Sequence, residues 1–319
     1  MPKLFIHIGS PKTGSTAIQY FLAQNLEALD AQGVNFVRQG RKRDAHNLIL
    51  QARRAGDIGK VMQKVVREIQ SRPDDTHVLT SEMYFGAGVG ADLAAALPDD
   101  LRAKTRILVY LRRQDRFLEA LYKQRVKTGR YHGTAQDFAQ AKLGNGNYER
   151  TLAPYAEAFG ANNIIVRPFE RPHFPQGNVV HDAAAIFGVT GLDDLFVPGS
   201  IDNLTLSVEI TRLLAHVARA TDVNIKDVIR HLSHEPPADA ARSNDCFALE
   251  ERREIMGHFT DLNEAVRKTY CPDLASLFDE SDLAADAPET LPDPHERLHR
   301  MERAQQIVFD AIAQMRQAG

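Results

Sequence analysis

Residues 4–16 read LFIHIGSPKTGST. Leu4-Phe5-Ile6-His7-Ile8 is a short apolar run of strand length. From Ser15 onward Ile18, Phe21, Leu22, Leu26 and Leu29 recur at helical spacing. Between the two segments lie Gly9, Ser10, Pro11, Lys12, Thr13 and Gly14. A strand that ends in a glycine-containing loop and feeds a helix aims backbone N–H groups at one spot, and the helix N-terminus adds partial positive charge. The seam therefore predicts an anion site suited to phosphate. Gly9 and Gly14 let the backbone turn there and approach a ligand closely.

Outward from this seam, short apolar runs alternate with helical periodicities. Strands are predicted at Leu4 to Ile8, Asn35 to Val37, His77 to Thr80, Arg106 to Leu111 and Ile164 to Val166. Helices are predicted from Ser15 to Leu29, at Ile58 to Ile69 and at Phe117 to Val126, and Arg38 to Arg43 is a basic loop. The alanine-rich patches Ala91 to Ala96 and Ala183 to Ala185 read as ordinary helix. The expected class is α/β, with a mostly parallel central sheet, flanking helices and a phosphate-loop type of fold. Beyond Asp202 strand signals fade, and Leu204 to Arg219, Leu249 to Tyr270 and His295 to Met315 read as helices. Residues 1–285 are expected to form one α/β domain with a helical C-terminal part. Residues 286–319 then form a linker, with three prolines between Asp286 and His295, and a last helix.

The composition sets further bounds. The chain has 319 residues, 43% hydrophobic and 25% charged, with a formal net charge of −3, so no global field draws in nucleic acid. Cys246 and Cys271 lack metal-ligand spacing and form no disulfide framework, which suits a reducing compartment. No apolar run is long enough to span a membrane or to act as a secretory signal, and a cytoplasmic protein is expected. Basic residues at Arg38, Arg41, Lys42 and Arg43, at Arg53 and Arg54, and from Lys123 to Arg130 read chiefly as solvated faces. The alternative is a rim that attracts an anionic substrate. Tyr84, Phe85, Tyr122, Tyr131 and Tyr148 read as core rather than as a sugar-stacking wall.

Gly9 and Gly14 match the glycine spacing of the Walker loop, G-x-x-x-x-G-K-S/T, and Thr16 falls at its hydroxyl position. The Walker lysine position, however, holds Ser15, and the lysine is Lys12 at the loop crest. This PKTGST arrangement after a strand resembles the 5′-phosphosulfate loop of sulfotransferases that use 3′-phosphoadenosine 5′-phosphosulfate (PAPS). A second stretch, ILVYLRRQDRFLEALY at residues 107–122, is similar to the family's 3′-phosphate motif, with Arg112 at the strand end. Ala120 stands where the family carries a serine that donates to the 3′-phosphate; alanine cannot, which implies weaker or differently achieved nucleotide binding. Residues 164–189, 203–209 and 262–270 are similar to later parts of bacterial members.

The resemblance implies sulfuryl transfer from PAPS to a hydroxyl or amine acceptor, a carbohydrate or small metabolite, by in-line displacement and without a required metal. It implies nucleotide binding by Ser10, Lys12, Thr13, Gly14, Ser15, Thr16, Arg112 and the Ala120 position, with Lys12 stabilising the leaving oxygen. The general base is Glu82, after the third predicted strand, or His46 in RKRDAHNLIL. Cytosolic members carry their catalytic histidine at a place similar to Glu82, and several carbohydrate sulfotransferases carry a catalytic glutamate in the region of His46. Two alternatives stand beside this reading: an ATP-dependent phosphate-loop kinase, and a non-catalytic protein that binds 3′-phosphoadenosine 5′-phosphate (PAP).

Overall fold

A computed structural model of the protein describes residues 4–86, 88–199, 206–234, 246–284 and 293–317. They form two compact units, one of Met1–Arg113, Asn147–Ile201 and Thr260–Phe278, the other of Gln114–Gly146, Asp202–Phe259 and Asp279–Gly319. The expected boundary at 285/286 and most of the proline-containing linker lie outside the described residues.

The first unit holds a five-stranded sheet of β1 (Leu4–His7), β2 (Val34–Phe36), β3 (Thr76–Thr80), β4 (Thr105–Leu111) and β5 (Ile164–Pro168). All pairings are parallel, in the order β2-β3-β1-β4-β5. The five expected strands are these, within one or two residues at each end. The period of two sorts side chains cleanly between the faces. Leu4, Ile6, Ile107, Val109 and Leu111 join one apolar cluster, and Phe5, Leu108 and Tyr110 join the other. Residues of α3 (Asn47–Arg54), α4 (Ile58–Gln70), α5 (Val89–Ala95), α6 (Asp99–Ala103) and α9 (Tyr148–Phe159) cover the first face. Residues of α1 (Ser15–Gln24), α2 (Leu26–Ala31) and α10 (Val179–Phe187) cover the second. With apolar helices on both faces, the strands are near-continuous hydrophobic runs, as a buried parallel sheet requires.

The helix expected from Ser15 to Leu29 is two helices. Asn25 breaks it: its side-chain amide donates to the carbonyls of Phe21 and Phe196, each at 2.8 Å, and its oxygen accepts from the Phe196 N–H at 2.9 Å. A short polar side chain that bonds nearby backbone competes with the helix ladder, and the periodicity of the apolar residues does not register this.

The second unit is helical: α7 (Gln114–Lys127), α8 (Ala135–Lys142), α11 (Val208–Ala220), α12 (Ile225–His234), residues 249–259 of α13 (Leu249–Tyr270) and α14 (Pro294–Gln317). Ser207 caps α11, accepting from the Ile210 N–H at 3.2 Å, so the helix begins later than the apolar pattern alone suggests. Pro294 opens α14 at a position where its missing N–H costs no helical bond. Inside the unit, buried Arg252 holds fully buried Asp115 through two bonds of 2.8 and 2.6 Å. Tyr122, Tyr131 and Phe138 form an aromatic cluster here, and Lys123 pairs with Glu119 at 2.7 Å. Among the described residues no helix is long and apolar enough to cross a membrane. Cys246 and Cys271 are buried and not in a disulfide.

Candidate active site

The sheet order reverses at β1. From there the chain runs to β2 and then β3 on one side, then to β4 and β5 on the other. In open α/β sheets ligands bind outside the carboxyl ends of the strands at such a switch point. Residues 8–14 emerge there. The Ile8 N–H still bonds to the Leu108 carbonyl at 2.9 Å, and after it the chain leaves the sheet.

The loop is built by its own side chains. The buried Thr13 hydroxyl donates to the Ser10 carbonyl at 2.6 Å, and the Ser15 hydroxyl reaches the same oxygen at 3.4 Å. Lys12 has φ 69° and Gly14 φ 76°, so two left-handed residues fold the crest back toward α1. Gly14 is the N-cap of α1 and brings no side-chain cap, while its carbonyl accepts from Ala17 and Ile18 at 2.9 and 3.2 Å. A Cβ at Gly9 would sit 2.6 Å from Ser15 Oγ and 3.3 Å from Glu82 Cα; one at Gly14 would sit 2.7 Å from Val179 Cγ1. The glycines are where they are because neighbouring chain passes that close. Ser10 Oγ is buried and has no hydrogen-bond partner. Thr16 is exposed at the start of the helix.

Three residues surround the crest. Arg112, just past β4, donates to the Lys12 carbonyl at 3.1 Å, and its own carbonyl accepts the Tyr148 hydroxyl at 2.5 Å. The Arg112 guanidinium lies 5.9 Å from the Phe169 ring centre, and that ring also borders Gly14. Glu82 opens the short 3-10 turn after β3, where Ser81 accepts from the Met83 N–H and donates to Asn47 at 2.6 Å. Glu82 is solvent-exposed, yet partial desolvation of its carboxyl raises its pKa, with the Lys12 charge pulling it back. The sequence reading missed the loop-bracing contact of Arg112 and the place of Phe169. An aromatic residue directly after a strand carries no signal of which loop it will meet.

His46 occupies a different kind of place. It is fully buried, with Nε2 donating to the Val37 carbonyl at 2.7 Å and Nδ1 accepting from the Thr80 N–H at 3.0 Å. Both ring nitrogens thus hold the ends of β2 and β3 together, and burial lowers the pKa to about 4. A second buried histidine, His7 on β1, bonds through Nδ1 to Thr80 Oγ1 at 2.8 Å and is held down to about 3 by burial. Ala120 is half-buried on α7, in the helical unit. Among the described residues no group of three or more His, Cys, Asp or Glu side chains is arranged to hold a metal.

Fold and loop define a parallel α/β protein with a glycine-flanked, lysine-crested loop at its switch point. No family model matches the chain. It is 28% identical over 201 residues to an uncharacterized protein of Archaeoglobus fulgidus, a match that covers 60% of this chain and 53% of that one. The chain therefore spans about half the length of this relative. Among solved structures it is similar to a sulfotransferase from Alicyclobacillus acidocaldarius, with 19% identity, a TM-score of 0.42, and coverage of 63% of this chain and 85% of that one.

Proposed function

We propose that the chain is a PAPS-dependent sulfotransferase acting on a hydroxyl or amine acceptor. The observation that carries this reading is the meeting, at one switch point, of a lysine on the loop crest with an exposed carboxylate that feels its charge. The loop fits a phosphosulfate: an uncapped helix start, glycines that leave no room for a Cβ, and a buried Ser10 hydroxyl still without a partner. PAPS supplies the activated sulfuryl group. The acceptor oxygen or nitrogen forms a bond to sulfur as the sulfur–phosphate oxygen bond breaks.

Glu82 takes the acceptor proton; its raised pKa makes it a stronger base, and its exposure leaves it open to an acceptor. Lys12 balances the charge that grows on the leaving phosphate oxygen. Arg112 braces the crest from below and offers its guanidinium to the nucleotide phosphates. Thr13 shapes the loop, since its hydroxyl hydrogen is given to Ser10. His46 is a structural bracket, because neither ring nitrogen is available to take a proton.

The test is thermal stabilisation by PAP beside ATP with magnesium. A ligand that binds only the folded state raises stability by mass action, so no acceptor is needed. A shift with PAP that is independent of magnesium and absent in Lys12→Ala is expected. A shift only with ATP and magnesium would overturn the reading in favour of a kinase.

A further inference from the structure

On the β2 flank of the sheet, a surface cavity of about 460 Å³ is lined by Arg38, Gln39, Lys64, Arg67 and Glu68. Its size is that of a small-molecule subsite. Arg38 follows β2 at its carboxyl end, while Lys64, Arg67 and Glu68 stand at i, i+3 and i+4 on α4 and share one face.

Glu68 is the ordinary i, i+4 partner for Lys64, but its oxygens are engaged elsewhere. Oε1 accepts from the Arg38 N–H at 2.8 Å and the Asn35 amide at 3.3 Å, and Oε2 accepts from the Gln39 N–H at 2.9 Å. Among the described residues, the side chains of Arg38, Lys64 and Arg67 enter no salt bridge. Arg53, Arg72, Arg167 and Arg267 of the same unit each hold a carboxylate. Arg41 adds a fourth cation close by, stacked 4.5 Å over Phe36. Lys64 and Arg67 lie side by side, an arrangement that repels unless an anion sits between them. One carboxylate, already bonded to three N–H groups, does not neutralise the three cations of the wall.

We propose that this cavity binds the carboxylate or sulfate of an acidic oligosaccharide, which is the acceptor. The proposal rests on the sulfotransferase reading. β2 lies two strands from β1, a lateral distance of about 10 Å at the usual strand spacing. The bound anion and the reacting hydroxyl then belong to nearby units of one extended molecule.

The probe is a fluorescently end-labelled hexasaccharide alternating glucuronate with N-acetylhexosamine, compared with its carboxyl-reduced neutral form. Anisotropy titrations are run in the presence of PAP. The wild-type protein should bind the acidic form about tenfold or more tighter than the neutral form, and added salt should shrink the difference. The variant Arg38→Gln/Lys64→Gln/Arg67→Gln should lose the preference while PAP stabilises it as it does the wild type. These side chains are exposed, so the fold should survive. Equal binding of the two forms by the wild type, or a preference kept by the triple variant, overturns the proposal. Failure of PAP to stabilise the wild type defeats the sulfotransferase reading instead, and is scored separately from the preference.

Discussion

Lowering the pH from 7 to 5 should destabilise the protein by about 4 kcal/mol through His7 and His46 alone, and His77, also lowered by burial, acts in the same direction. His7 and His46 are fully buried, and burial holds them near about 3 and about 4 against an ordinary 6.5. In the unfolded chain both take a proton as the pH falls through about 6.5; in the folded protein neither does until the pH is far lower. A depressed folded pKa gives stability that is complete above the unfolded value and is lost as the pH falls toward the folded one. At pH 5 each histidine accounts for a loss of about 2 kcal/mol. Near pH 5.5 these two histidines alone give the unfolded chain almost two more protons than the folded one, a slope of about 2 kcal/mol per pH unit. This window lies above the titration range of ordinary carboxylates, so the ion pairs break later. The chain has no tryptophan, which makes circular dichroism in a urea titration the natural assay. The midpoint should fall while the denaturant slope stays constant. His46→Gln keeps an amide to bond the Val37 carbonyl, and should lower stability at pH 7 while removing the His46 share of the pH slope and leaving that of His7 and His77. A stability that is flat from pH 7 to 5, or a full slope in His46→Gln, would refute the reasoning.

Lys12→Ala and Lys12→Gly should both abolish transfer, but they should differ in stability. Left-handed backbone costs a residue with a Cβ about 1–2 kcal/mol, so the glycine variant should unfold at or above the wild-type temperature and above the alanine variant; the reverse order would mean the crest is not strained. Glu82→Gln should cost roughly 100- to 10,000-fold in kcat and erase an acidic limb of the pH–rate profile that lies above the usual carboxylate value. An intact limb would take the proton away from Glu82. Gly14→Ala meets Val179 at 2.7 Å with φ +76°, and should cost about 2 kcal/mol and abolish the thermal shift with PAP; an unchanged shift would show that the loop tolerates movement there. Ala120→Ser should tighten PAP binding about fivefold by adding one hydrogen bond. Equal affinity by calorimetry would mean that residues 107–122 do not carry the 3′-phosphate.

The sheet was legible because buried parallel strands are continuous apolar runs, and five such runs stand clear of their surroundings. The strand–loop–helix form of residues 4–24 was legible for a related reason: strand, glycine, lysine, glycine and helix follow one another in the sequence. What was hidden is what depends on long-range contact. Asn25 stops a helix through a bond to Phe196, 171 residues away, and no local pattern announces it. His46 looked like a base because a histidine beside basic residues is chemically able to be one. Its two backbone bonds, to Val37 and Thr80, come from the pairing of β2 with β3, which the sequence near His46 does not show. The helices α3, α6, α8, α9 and α12 went unread as well. Two of them, α8 and α9, begin at a polar N-cap, Thr134 and Asn147, each accepting an N–H three residues on. Such caps stand out only once the chain's path is known.

The loop also explains why a lysine at its crest can be held in an unfavourable backbone conformation. Strained residues persist where their surroundings over-determine them. Here Arg112 fixes the Lys12 carbonyl, Thr13 fixes the Ser10 carbonyl, and the absence of a Cβ at Gly9 lets the loop lie against Glu82. None of these bonds needs a ligand. The backbone that carries Lys12 is therefore set before anything binds, and in the proposed reaction the lysine would act from a preorganised loop, which is where electrostatic stabilisation gains most. Ser15, at the position where a Walker loop carries its lysine, is buried with its hydroxyl turned to the Ser10 carbonyl. A lysine there would bury an ammonium in the wall of the loop; at Lys12 the charge is instead felt by Glu82. In the proposed reaction Arg112 would have two tasks, since the guanidinium that braces the crest is also the one proposed to meet a phosphate. In the proposed reaction, an anion held by Arg112 would therefore bear directly on the backbone contact beneath Lys12.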